Sequence, residues 1–198
     1  MKGMEQKFSQ ISVEKRESEP VIVNIAIPED AEGIGKVLYE TWLATYPNEE
    51  AGITREVIES VVSVQLDPEY IVERAKKIAE IDPAVRLFLT AKVAGTVQGI
   101  ATANKYPDGR QKIGSLYVLP EAQGKGVGAA LAQRMLDWFD LSEPVHLTVA
   151  TYNVNAIHFY ERFGFEVTDE EVQSEAATLP NGKVIPEVAM LRKALVAE

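Results

Sequence analysis

The stretch PEAQGKGVGAALAQRM, from Pro120 to Met135, decides the fold, because it places three glycines within five residues just before an apolar periodic segment. Each glycine inside a helix costs about 1 kcal/mol relative to alanine, so three of them need a reason. The first turn of a helix carries N–H groups without an internal partner, and the helix dipole adds partial positive charge there. Glycines let an anion come close to those amides. The stretch therefore predicts a helix that begins near Val127, with a pyrophosphate cradle built from backbone.

Two familiar phosphate motifs do not explain these glycines. A Walker A loop requires Ser or Thr directly after its lysine, whereas Lys125 is followed by Gly126. The dinucleotide fingerprint G-x-G-x-x-G requires a longer final spacing than Gly126 to Gly128, and it belongs to a parallel sheet. The sequence thus predicts an anion site of a different kind.

Outward from this stretch, turn signals and apolar periodicity predict an α+β fold. Ala94-Gly95 marks the first turn of a three-stranded antiparallel meander over residues 85–119. Asn181-Gly182 indicates an exposed loop or hairpin between the last two strands. The predicted order is β-α-α-α-β-β-β-α-β-α-β-β, which gives a mixed sheet of about seven strands, mostly antiparallel, with helices on both faces.

Length and composition bound the organisation of the chain. It has 198 residues, of which 46% are hydrophobic, enough for one well-buried core. Residues 1–20 are polar and charged, which predicts a flexible N-terminal arm. Residues 21–198 are interpreted as a single domain.

Charge and residue usage exclude several kinds of partner. The net charge of −10 argues against nucleic acid, because neutralising phosphates needs a surplus of Lys and Arg. No run approaches the ~18 apolar residues of a membrane span, so we expect no membrane partner. With no cysteine and two scattered histidines we expect no metal site, and the lack of cysteine fits a cytoplasmic location. The acidic balance favours a cationic partner, but ordinary solubilising charge explains it too.

Two segments carry a resemblance to a known family. QGKGVG, through Gln123, Gly126 and Gly128, resembles the Q/R-x-x-G-x-G/A signature of the GNAT superfamily of N-acetyltransferases. NVNAIHFYERFGF, from Asn153 to Phe165, resembles the N-x-x-A-x-x-F-Y-x-x-x-G-F segment of the same superfamily. Together they are far more specific than either one alone, and the resemblance extends over roughly Leu87 to Leu195.

The resemblance implies the three-layer GNAT fold and acetyl-CoA as cosubstrate. The pyrophosphate would lie on the loop amides, with Lys125 adding charge at the rim. The pantetheine arm would extend along the strand before the loop. Asn153 would contact this arm and also cap its own helix. Phe159 would pack beside the acyl arm of the cosubstrate. The implied binding residues are Leu116, Tyr117, Val118, Gln123, Gly124, Lys125, Gly126, Val127, Gly128, Ala129, Asn153 and Phe159.

Tyr160 matches the family's catalytic tyrosine. The resemblance implies direct attack by an amine through a tetrahedral intermediate, after which Tyr160 donates a proton to the departing thiolate. A tyrosine pKa of ~10 keeps the hydroxyl protonated at neutral pH. The spacing alone also fits an ordinary core residue.

The general base stays unassigned. Many relatives carry a Glu on the strand before the glycine loop, whereas this chain has Gly114 and Ser115 there. A water chain, Glu49 or Glu50 are the alternatives.

The acceptor site is expected around the first two helices. Trp42 and Tyr46, followed by Glu49 and Glu50, would form an aromatic and acidic pocket for a small cationic amine or polyamine. The alternative interpretation is two core aromatic residues and a solvated loop. A peptide or protein amine as acceptor, a non-catalytic acyl-CoA-binding module, and a homodimer through the C-terminal strands all remain open.

Overall fold

The computed structural model describes residues 19–169, 172 and 178–195. Within these ranges the chain forms seven strands and five α-helices in the predicted order. They are β1 (Ile22–Ile25), α1 (Ala31–Thr45), α2 (Arg55–Val62), α3 (Pro68–Ala79), β2 (Arg86–Val93), β3 (Thr96–Lys105), β4 (Gln111–Val118), α4 (Val127–Leu136), β5 (Val145–Ala150), α5 (Val154–Glu161), β6 (Glu166–Val167) and β7 (Glu187–Arg192).

The predicted α+β class is confirmed. The N-terminal arm predicted over residues 1–20 lies almost wholly outside the described residues, and the division into one arm and one domain stays a prediction.

The strands form one sheet in the order β1-β2-β3-β4-β5-β7-β6. Neighbouring strands are antiparallel except β4 and β5, which are parallel. These two strands pair only where they begin, at Gln111 with Val145 and Lys112 with His146. Beyond that point they diverge, and the backbone of both strands borders an open gap.

Helices cover both faces of the sheet. Successive residues of a strand point to opposite faces. On β3, Gly99 lies against Val127 and Leu131 of α4, whereas the neighbouring Ile100 lines a cavity under α1 and α3. The face that carries α1, α2 and α3 is called the α1 face below, and the other the α4 face.

A second apolar cluster joins the first helices to the far end of the sheet. Ile53 and Ile58 of the α1–α2 region pack with Ala150 at the end of β5 and with Leu179 and Ile185. The hairpin predicted around Asn181-Gly182 is present, with the Leu179 N–H donating to the Lys183 carbonyl at 2.7 Å. The expectation that this segment is exposed is wrong for two of its residues. Leu179 and Ile185 are buried, with only 5% and 4% of their surface accessible. No helix within the described ranges has the length and apolar character needed to cross a membrane.

Candidate active site

The glycine loop adopts a conformation that other residues rarely adopt. Gly124 and Gly126 have φ angles of 72° and 86°, in the left-handed region where an L side chain is strained. A Cβ at either position would have no atom within 4 Å. The two glycines are therefore needed for backbone shape, and open space lies in front of them.

The loop and the first turn of α4 present a run of free amides. None of the six N–H groups from Gly124 to Ala129 donates to an acceptor among the described residues. The first intrahelical bond runs from the Ala130 N–H to the Gly126 carbonyl at 3.0 Å. Val127 is buried in the core, so any part it has in binding an anion falls to its backbone amide. Six donors at the positive end of a helix dipole suit a polyanion such as a diphosphate.

The β4–β5 gap exposes backbone groups directly beside this loop. The Leu119 N–H bonds across to Gln98 of β3, and alternation along the strand then turns the backbone groups of Leu116 and Val118 towards the gap. The Val118 carbonyl accepts a hydrogen bond from Gln123 Nε2 at 3.2 Å. Gln123 thus joins the loop to the end of the strand.

The start of α5 closes the gap from the other side. Asn153 Oδ1 accepts from the Ala156 N–H at 3.2 Å, so Asn153 caps α5. A Cβ at Gly128 would lie 3.4 Å from the Phe159 ring and 3.6 Å from Val118. Gly128 therefore lets α4 approach Phe159 closely.

Tyr160 follows Phe159 on α5, and its hydroxyl has no hydrogen-bond partner among the described residues. The side chain is 7% exposed, and its ring packs edge-on against Phe159 and Phe165. The hydroxyl makes no hydrogen bond to any described residue. Burial, with the neighbouring Tyr117 in addition, raises the pKa of Tyr160 well above its usual value. The group therefore carries its proton throughout the neutral range.

Three further tyrosines, Tyr117, Tyr46 and Tyr152, lie near one another on the α1 face, and Tyr117 is the one next to Tyr160. The hydroxyls of Tyr117 and Tyr46 are 3.0 Å apart, and Tyr152 donates to the Tyr46 carbonyl at 2.9 Å. Trp42 packs edge-on against Tyr46 with ring centroids 4.7 Å apart. Its buried N–H lies near enough to lower the pKa of the Tyr117 hydroxyl, but it makes no contact of hydrogen-bond geometry. Burial outweighs this effect and raises the pKa of both Tyr46 and Tyr117.

Sequence reasoning missed one charged member of this group, Glu187. It is the first residue of β7, pairs with Ala150 of β5, and is half-buried. One carboxylate oxygen, Oε2, is buried without a hydrogen-bond partner. Burial raises the pKa of Glu187, although Lys112 and the Thr148 hydroxyl lower it in part. The only sequence signal was a Glu at the start of a strand, next to Pro186, which looks like any other strand boundary.

We call Trp42, Tyr46, Tyr117, Tyr152 and Glu187 the acceptor cluster. The structure brings together two of the four residues predicted for the acceptor, Trp42 and Tyr46. The other two, Glu49 and Glu50, are exposed on the turn between α1 and α2, and their carboxylates form no hydrogen bond or salt bridge with a described residue.

The sequence model of the Acetyltransferase (GNAT) family matches residues 53–165, more than half of the chain. The chain belongs to this family. The GNAT resemblance, the enzyme class of acetyltransferase and acetyl-CoA as cosubstrate are thereby confirmed.

Individual proteins also resemble this chain. A mycothiol acetyltransferase from Propionibacterium freudenreichii is 39% identical over 97 residues, which cover 46% of this chain and 30% of that protein. The chain thus matches less than a third of that relative. The PaiA N-acetyltransferase from Thermoplasma acidophilum, solved with coenzyme A, superposes with a TM-score of 0.67 at 22% identity, covering 88% of this chain and 99% of that one. A GNAT acetyltransferase from Streptococcus pneumoniae gives 0.62 at 22%, covering 87% and 98%. These structures confirm the predicted fold.

This GNAT protein departs from its family on the strand before the glycine loop, and the structure gives a physical reason. A Cβ at Gly114 would lie 2.7 Å from the Thr102 hydroxyl oxygen, so no acidic side chain fits there without a shift. Ser115 is engaged with the same Thr102 through a 2.8 Å contact between their hydroxyls. The usual position of the base is therefore closed in this chain.

A cavity of about 260 Å³ lies on the α1 face, next to the acceptor cluster along β4. Ser115 and Ile100 form part of its floor, and the charged side chains around it are Arg74, Lys77, Arg86 and Glu73. Three cations against one anion make this cavity basic, in contrast to the acidic acceptor cluster.

Proposed function

We propose that this GNAT domain transfers the acetyl group of acetyl-CoA to the amine of a small cationic acceptor by direct attack. The observation that carries the proposal is the unpartnered hydroxyl of Tyr160. It lies between the acceptor cluster and the stretch from Gly124 to Ala129, which we call the cofactor loop. The Tyr160 ring is buried, but its hydroxyl oxygen is not one of the fully buried polar atoms, so it borders accessible space. A ligand atom in that space can accept a hydrogen bond from the hydroxyl.

The residues present fit the cosubstrate. The amides from Gly124 to Ala129 would hold the diphosphate, and Lys125 is exposed beside them. The backbone groups of Leu116 and Val118 that face the gap would pair with the amide groups of the pantetheine arm, in the manner of an added strand. Bound here, acetyl-CoA supplies an activated acetyl thioester whose sulfur needs a proton as it departs.

Tyr160 would supply that proton. Its raised pKa means that complete transfer to a thiolate, whose pKa is ~8.5, is uphill. The gain comes instead from a hydrogen bond that strengthens as negative charge develops on sulfur in a site that is shielded from water.

The acceptor cluster supports a cationic amine. Aromatic rings and a carboxylate both attract an ammonium group, and Glu187 contributes the carboxylate that Glu49 and Glu50 do not bring to the cluster. The adjoining cavity is basic and would repel a polyamine, so we assign the acceptor to the cluster. The matched relative is named for a small molecule, mycothiol, which also favours a small acceptor over a protein.

Release of the CoA thiol from acetyl-CoA, measured across a panel of amines, tests the proposal. The panel contains spermidine, a Lys-bearing peptide and a peptide with a free N-terminal amine. We expect the highest kcat/KM with spermidine. A preference for either peptide would assign the enzyme to peptide acceptors. Binding of acetyl-CoA without thiol release above the rate of hydrolysis would make it an acyl-CoA-binding module.

A further inference from the structure

We propose that Glu187 is the general base that takes the proton from the acceptor ammonium. This inference rests on the proposed function, because it assigns a role within the same site. It fills the place left open by Gly114 and Ser115, where the family's usual acid is absent.

Strand register places Glu187 beside the reaction centre. Its partner Ala150 is the last residue of β5, so Glu187 lies at the mouth of the β4–β5 gap, far from the two pairs that close it. Side-chain alternation puts Glu187 on the same face as Thr148 and Tyr117, which is the α1 face. Tyr160 reaches Tyr117 from α5. An acid and a base thus border Tyr117 from two different elements.

The surroundings keep this carboxylate available. The groups that interact with it are Lys112 on β4, Thr148 on β5, Tyr117 on β4, Tyr46 at the end of α1 and Tyr152 before α5. Lys112 is near enough to act electrostatically but forms no salt bridge with Glu187. Tyr46, Tyr117 and Tyr152 direct their hydroxyls to one another or to backbone, and none of them donates to Oε2. A carboxylate oxygen buried without a donor is costly unless a ligand supplies one. An ammonium N–H is such a donor.

The charge state suits the task. An alkylamine with a pKa near 10 is almost entirely protonated at pH 7 and cannot attack. Burial raises the pKa of Glu187 from its usual value, which makes its carboxylate a stronger base. The positive charge of Lys112 opposes this effect of burial and favours the ionised form of Glu187.

The proton balance closes with these two residues. One N–H bond of the ammonium breaks, and its proton goes to Glu187. The neutral nitrogen forms the C–N bond to the acetyl carbon, and the C–S bond breaks. Tyr160 donates its proton to the departing sulfur, and the second proton lost by the nitrogen restores the Tyr160 hydroxyl. The net result is an N-acetyl amine, CoA thiol and one proton, which Glu187 returns to solvent.

The test is the pH profile of kcat/KM for Glu187→Gln against wild type, with spermidine as acceptor. In wild type, kcat/KM falls at low pH as Glu187 becomes protonated and forms a plateau above its pKa. In Glu187→Gln only the neutral amine reacts, so kcat/KM loses the plateau and rises about tenfold per pH unit towards the pKa of the amine. At pH 7 we expect a loss of about 100-fold or more. The affinity for acetyl-CoA stays unchanged.

Glu166→Gln is the matched control, since Glu166 is exposed on β6 and pairs with Lys193 away from the site. It should keep the wild-type profile. A Glu187→Gln variant within about threefold of wild type, with the plateau intact, overturns the proposal. So does an equal loss at every pH, which indicates a structural role.

Two further measurements keep the test decisive. Glu187→Asp keeps the carboxylate and should keep the plateau at a lower level, even if the Gln variant does not fold. A wild-type profile without any plateau overturns the proposal by itself. If wild type releases no thiol with any amine of the panel, the proposed function fails, whereas an active wild type with an unaffected Gln variant rejects only the role of Glu187.

Discussion

The cofactor loop and the acceptor cluster are built in opposite ways. Six consecutive residues, Gly124 to Ala129, supply the loop's donors, and every donor is a backbone N–H. The acceptor cluster takes its side chains from four separate segments of the chain, between Trp42 and Glu187. A backbone site depends on local conformation, which nearby glycines specify, whereas a side-chain site depends on how distant elements pack. The two regions meet at Tyr160, which follows Phe159 beside the loop and lies next to Tyr117 of the cluster.

Tyr160→Phe should have the largest effect, because it acts where the two regions meet. Removing the hydroxyl removes the proposed proton donor to sulfur, and we expect kcat to fall by about 100-fold or more. The ring packing against Phe159 and Phe165 is kept, so the melting temperature and the dissociation constant for acetyl-CoA should hardly change. Thiol-release kinetics and a binding titration measure both. Tyr106→Phe, at an exposed tyrosine in the β3–β4 turn, is the control, and an unchanged kcat in Tyr160→Phe would remove this residue from the mechanism.

Gly126→Ala tests the cofactor loop alone. A left-handed φ of 86° costs a non-glycine residue about 1–2 kcal/mol, and the added methyl group would enter the open space beside the loop. We expect affinity for acetyl-CoA to fall about tenfold, equivalent to ~1.4 kcal/mol, with little change in the acceptor KM.

Gly95→Ala provides the comparison for this strain. Gly95 has a similar φ of 77° and no neighbour within 4 Å of a Cβ, but it lies in the β2–β3 hairpin. It should lose similar stability and keep its affinity for acetyl-CoA. Equal affinity losses in both variants would mean that the loop acts through stability and not through its amides.

The same contrast explains what the sequence could predict. The helix start at Val127, the free amides before it and the Asn153 cap all follow from neighbours within a few residues, and all were predicted. The order of helices and strands along the chain followed from apolar periodicity and from turn signals such as Ala94-Gly95. Glu187 was missed because nothing near it in sequence shows that β7 returns beside β5. Burial of Leu179 and Ile185 was missed for the same reason, since their partners belong to α1 and α2.

Tyr46→Phe tests the acceptor cluster with a smaller expected effect. The change removes the 3.0 Å contact between the Tyr46 and Tyr117 hydroxyls and leaves the ring against Trp42. A typical hydrogen bond contributes about 0.5–1.5 kcal/mol, so we expect the acceptor KM to rise by roughly 2- to 10-fold with unchanged affinity for acetyl-CoA. Tyr39→Phe, on α1 itself, is a matched control, because it removes an exposed hydrogen bond to Glu59. If the two variants had the same acceptor KM, the cluster would not contact the acceptor.

Asn153→Ala gives the smallest effect and distinguishes a structural from a binding role. Loss of an N-cap costs about 1 kcal/mol and should lower the melting temperature by about 2–4 °C. Thr54→Ala removes an equivalent cap from α2, where Thr54 accepts from the Val57 N–H far from the loop, and should cost about as much stability. Any loss of acetyl-CoA affinity beyond that of Thr54→Ala then measures a direct contact of Asn153 with the cosubstrate. Identical affinities would leave Asn153 with its cap alone, and the cofactor side of this enzyme would then depend on backbone donors without help from this side chain.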